Sequence, residues 1–78
     1  MTQDAFTSLL AIKMAGLVEH AIESEKLSFM EAMRKAYGSK LYRLLEQEET
    51  KLWHHSPRAL YDALASESRT GFPELPDE

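Results

Sequence analysis

The residues of this 78-residue chain that invite a chemical role are Trp53-His54-His55, the nearby Glu46, Glu48 and Glu49, and His20. Imidazoles and carboxylates together can bind a divalent metal or exchange protons near neutral pH. Their spacing argues against both. Adjacent histidines in an extended segment point to opposite sides, so His54 and His55 are not expected to share an ion. No two histidines stand four apart, as a helical metal pair requires. There is no cysteine and no Gly-rich phosphate loop, and Ser28 and Ser56 sit where helix caps belong rather than nucleophiles. A chain of this length also has little room for an enclosed cleft beside a core. Neither catalysis nor a cofactor nor a metal site is expected.

Binding by charge or by apolar surface is better supported. The net charge is −4, but it is unevenly placed. Residues 26–43 carry Lys26, Arg34, Lys35, Lys40 and Arg43 against Glu31 alone, a basic island of +4 in an acidic chain. Arg34, Lys35, Lys40 and Arg43 are therefore candidates for binding a partner. The same stretch reads as two short helices joined across Gly38-Ser39, the connectivity of a helix-turn-helix. In that reading Ser39, Lys40 and Arg43 would face DNA. The helix would lack the Asn and Gln side chains that read base edges, however, and it runs into three glutamates that repel phosphate.

The elements that must position these residues are helical. Over residues 4–25, Phe6, Leu10, Met14, Leu17 and Ala21 recur at helical spacing with Leu9 beside them, and Asp4 is a suitable N-cap. A second row, Ala11, Ala15, Val18 and Ile22, lies next to the first. Together they cover about half of the cylinder, more than one packing seam needs. Either this is a central helix touched by two others of its own chain, or the second row is a partner surface or a self-interface for a homodimer.

Ser28 and Glu31 form a capping box that starts a second helix carrying Phe29, Met30, Met33, Ala36 and Tyr37. Gly38 is expected to end it in the left-handed region. Ser39 then caps a third helix with Leu41, Tyr42, Leu44 and Leu45. Residues 50–56 have no helical period and read as an ordered connection, at most a short extended piece. Ser56 and Pro57 restart a helix bearing Leu60, Tyr61 and Leu64. Residues 1–68 are thus expected to form a helical domain. Residues 69–78 read as a flexible, acidic, Pro-containing tail, in which Phe72 and Leu75 could anchor a partner. The expected fold is all-α, a single small domain of about four helices: a long first helix, a short helix pair and a final helix. Its expected core is Phe6, Leu10, Leu17, Phe29, Met33, Tyr37, Leu41, Leu44, Leu45, Trp53, Leu60 and Leu64.

Composition sets outer limits. At this length, folding hides only about 60–65% of the surface of the unfolded chain, and without cysteine no disulfide supplements the core. The first residues lack the positive start of a signal peptide, and Lys13, Glu19 and His20 interrupt the apolar run that follows. No membrane association is expected, and the expected location is the cytoplasm.

Residues 27–61 carry a recurring pattern: Leu27-Ser28, Glu31-Ala32, Tyr37, Ser39-Lys40, Tyr42, Leu44-Leu45-Glu46, Glu49-Thr50, Leu52-Trp53 and Ser56-Pro57. It resembles a family of short, uncharacterised bacterial proteins with no established activity, so the resemblance supplies no catalytic residues. By size and context it implies a protein like the partner or antitoxin-like members of bacterial gene pairs. The expected function is a non-catalytic protein-interaction or regulatory module. The second reading is a small helix-turn-helix-like DNA binder using residues 34–43.

Overall fold

The computed structural model describes residues 2–75; Met1, Pro76, Asp77 and Glu78 lie outside the described residues. Four helices make up the fold: α1 (Gln3–Glu25), α2 (Phe29–Tyr37), α3 (Lys40–Leu45) and α4 (Pro57–Thr70). Two single 3-10 turns, Glu48–Thr50 and Leu52–His54, fill the connection before α4 in place of an extended piece. The architecture is the expected all-α one, with a long first helix, a short pair and a final helix.

Local chemistry explains the boundaries. The cap of α1 is Thr2 rather than Asp4: its hydroxyl accepts from the Ala5 N–H at 3.1 Å, and Asp4 lies in the first turn, where its charge suits the helix dipole. Ser28 and Glu31 form the expected box, with bonds of 3.1 and 2.9 Å. The bond from the Ser28 backbone N–H, and next the Ser28 side chain, hold the Glu31 carboxyl below its usual range, with burial opposing. Gly38 is not left-handed, with φ at −90°. Glycine is required there for room, since a Cβ would lie 2.8 Å from the Arg34 carbonyl oxygen. Left-handed backbone falls instead at Lys26, Lys51 and Gly71.

The Ser39 hydroxyl accepts from the Tyr42 N–H at 3.1 Å and donates to the Ala36 carbonyl at 2.7 Å. Glu67 of α4 completes this turn by accepting from the backbone N–H groups of Lys40 at 2.9 Å and Leu41 at 3.1 Å. The start of α3 is thereby fastened to α4.

α1 packs along both α2 and α4, and α3 closes against α4. Phe6, Leu10, Leu17, Leu41, Leu45, Leu60 and Leu64 are buried as expected, joined by Met14, Val18 and the alanines Ala21, Ala32, Ala36 and Ala63. Met33 and Trp53 pack at the edge of this core. Trp53 meets Phe6 edge-on at 6.3 Å and donates its indole N–H to the Glu48 carbonyl at 2.9 Å. Phe29, Tyr37 and Leu44 are exposed, contrary to expectation. The cause for Phe29 and Tyr37 is the rotation of α2. Turning Ala32 and Ala36 inward brings its backbone close to α1, and the Phe29, Met33, Tyr37 row is carried to the side of the seam.

The chain end also differs from the expected division at residue 68. α4 continues to Thr70, and Gly71 caps it with φ at 89°. Residues 71–75 then fold back onto the helix. The Ser66 hydroxyl lies 3.2 Å from both the Phe72 carbonyl and the Glu74 carboxylate, and Leu75 packs against the core. A left-handed glycine lets the chain reverse here, and the Ser66 and Thr70 hydroxyls receive it. Of the expected tail, residues 69–70 thus belong to α4 and residues 71–75 lie against that helix, while 76–78 lie outside the described residues.

Among the described residues, α1 is long and apolar enough to cross a membrane by length and composition alone, which corrects the expectation that no segment has this character. In the fold, its Phe6, Leu10, Met14, Leu17, Val18 and Ala21 are buried within the chain's own core, and the Lys13 amine donates to the His55 carbonyl at 2.7 Å.

Candidate functional site: the open face between α1 and α2

The fold divides the second apolar row of α1. Val18 is buried and Ile22 half-buried, whereas Ala11 and Ala15 are exposed. Opposite them stands the i, i+4, i+8 row of α2, Phe29, Met33 and Tyr37. Between the two rows runs a groove of about 490 Å³, with Met14 completing its apolar lining and Glu19 at its margin. Further apolar side chains flank it. Met30 lies one turn from Met33 on α2, and Ile12 lies one turn from Ala15 on α1; they are 56% and 67% exposed. Phe29 itself is 60% exposed. A groove lined by methyl, thioether and ring groups suits the apolar stripe of another helix and offers little to a polar ligand.

The candidate self-interface residues Ala11, Ala15, Val18 and Ile22 thus all line one surface. Sequence reading missed its second wall, because Phe29, Met33 and Tyr37 carry the bulk expected of a core. The available signal was the competing small-residue pair Ala32 and Ala36, which marks the side of α2 that can approach another backbone most closely.

The basic island is not presented as one patch. Lys35 donates to the Glu25 carboxylate at 2.6 Å. Lys40 donates to the Gly71 carbonyl at 2.9 Å and lies 4.9 Å above the Phe72 ring. Arg34 and Arg43 are exposed. The two candidate tail anchors separate as well: Leu75 turns to the core, while Phe72 remains 67% exposed beneath Lys40.

Glu25 braces three helices. Its carboxylate takes the Lys35 amine on one oxygen and the Tyr61 hydroxyl on the other, at 2.7 Å, so it joins α1, α2 and α4. The bond from Lys35 is the main reason its carboxyl is held below the usual range, with burial opposing and Tyr61 assisting. Burial, and next the bond to Glu25, push the Tyr61 phenol up. His20 stacks on Tyr61 with ring centres 6.2 Å apart.

No protein-family model, curated protein or solved structure matches the chain. Its surfaces must be judged on their own chemistry.

His54 and His55 do not diverge. Their rings lie 4.2 Å apart, because residue 54 ends a 3-10 turn in which successive side chains do not alternate. The His54 Nδ1 meets the Lys51 carbonyl oxygen, and His55 is buried. Among the described residues, no group of three or more histidines and carboxylates is placed to hold a metal ion. No buried side-chain polar atom among them lacks a hydrogen-bond partner. Among the described residues, the buried polar groups are committed to the fold, whereas the α1–α2 groove leaves apolar side chains open at the surface.

Proposed function

We propose that this protein is a non-catalytic protein-interaction or regulatory module whose contact surface is the open face between α1 and α2. The observation that carries this reading is the concentration of exposed apolar side chains around an apolar groove: among the described residues, Phe29, Met30, Tyr37 and Ile12 are four of the six large apolar side chains that are exposed, with Leu44 and Phe72 the other two. Contiguous apolar patches on small proteins commonly mark sites of protein contact. The partner is a protein that offers an apolar helix face, and the setting is the cytoplasm. The role as the partner or antitoxin-like member of a bacterial gene pair belongs to the same proposal and rests on the resemblance of residues 27–61.

The DNA-binding alternative has weaker support. Two of its cations, Lys35 and Lys40, are engaged within the chain, and the Glu67 carboxylate lies at the start of the six-residue α3 that would have to approach phosphate.

Substitution at Ala15, in the wall of the groove and exposed, tests the proposal. Ala15→Arg should change folding stability by no more than about 0.5 kcal/mol, as surface substitutions do, yet abolish the complex in which the protein is recovered from its own cells. An undiminished complex would contradict the proposal, as would steep salt-dependent binding to random duplex DNA that Arg34→Ala removes.

A further inference from the structure

The two margins of the groove carry opposite charge. Along α1, the i, i+4 pair Glu19 and Glu23 is exposed beside Ala15 and Ile22; along α2, Arg34 is exposed one turn beyond Met30. Such a surface is complementary to itself. A half-turn about an axis running along the groove sets α1 of one copy over α2 of the other. The acidic margin of each then meets the basic margin of its mate, and the contact occurs twice by symmetry. A groove built for an anionic membrane surface would carry cations on both margins, whereas margins of opposite sign satisfy each other when the surface meets its own copy.

We infer that the occupant of the α1–α2 groove is a second copy of this chain, joined as a two-fold dimer in which α1 of each copy covers α2 of the other. This rests on the reading of the groove as a protein-contact surface and adds the identity of what fills it. The exposed alanines Ala11 and Ala15 are then explained: small side chains at that level let the second helix approach closely, as Ala32 and Ala36 do within the chain.

The test uses the purified full-length protein and two charge variants followed by sedimentation equilibrium. One variant carries Glu19→Arg with Glu23→Arg, so both of its margins are basic; the other carries Arg34→Glu, so both are acidic. The wild type should dimerise. Each variant alone should dissociate by roughly tenfold more, the effect of repulsion in two rim contacts, and the difference should shrink as salt is raised. An equimolar mixture of the two should recover a dimer, because each basic margin then meets an acidic one. Circular dichroism establishes that both variants keep the helical fold. A wild type that remains monomeric at all concentrations would overturn the inference. So would variants that dimerise as well alone as mixed. If the wild type is monomeric but Ala15→Arg still abolishes the complex recovered from cells, the contact surface stands and only its occupant is reassigned.

Discussion

The two sides of α1 meet their neighbours in opposite ways. Toward α4 the helix is closed. Gly16 leaves so little space that a Cβ there would come within 2.8 Å of the Pro57 ring, and Leu17 and Ala21 are sealed against the rest of the core. Toward α2 the helix is closed only on its inner edge. There Met14, Val18, Ala32 and Ala36 are buried in the common core, and beyond them the surface opens at Ala11, Ala15, Phe29 and Tyr37. Small residues occur on both sides with different consequences. At Gly16 the absent side chain is filled by a proline of the same chain, whereas Ala15 is exposed in the groove. A close-packed seam and an open one on the same helix separate what holds this domain together from what it offers to a partner.

The comparison predicts a graded set of effects. The largest belongs to the closed interior: Leu17→Ala should cost about 2–5 kcal/mol in denaturant unfolding, through lost burial and the cavity it leaves. A cost below 1 kcal/mol, on the order of a surface change, would mean that the interior is not packed as described. Gly16→Ala comes next. Alanine favours a helix by about 1 kcal/mol over glycine, but overpacking against a rigid ring costs about 1–3 kcal/mol. The net expectation is therefore a loss of about 1 kcal/mol. At Ala15, one residue away on the open side, a larger apolar side chain should be tolerated without such a loss. A stabilising Gly16→Ala would remove the contrast between the two sides.

The smallest effect concerns pH. Glu25 is held below its usual range mainly by Lys35, so its pairing adds stability above the ordinary carboxylate range, and that increment is lost as pH falls through the lowered value. Glu25→Gln should melt at a lower temperature than the wild type near neutral pH and converge with it in acid. An equal gap at both pH values would show that the brace does not depend on charge.

The extent to which the fold was legible in the sequence follows from how local its determinants are. The capping box at Ser28 and Glu31, the Ser39 and Ser56 caps and the Pro57 start are set by neighbours within one turn, and all were read correctly. The rotation of α2 was not, because it depends on which side of that helix gains more from α1. The bulk of Phe29, Met33 and Tyr37 argues for one side, and the close approach allowed by Ala32 and Ala36 decides for the other. The fold-back of residues 71–75 was hidden for a similar reason, since it depends on Ser66, a full turn inside α4. Of the candidate site, the row Ala11, Ala15, Val18 and Ile22 was visible from spacing alone. Its opposing wall required the rotation of α2 to be known.

The claim that the open side of α1 is where this protein meets another is tested most directly by site-specific photo-crosslinking in living cells. A photoreactive amino acid placed at Ala15 should give a discrete cross-linked product, at twice the mass of the chain if the partner is a second copy. The same group at Arg58, exposed on the α4 side, should give none. Equal cross-linking from both positions, or from neither, would contradict the account.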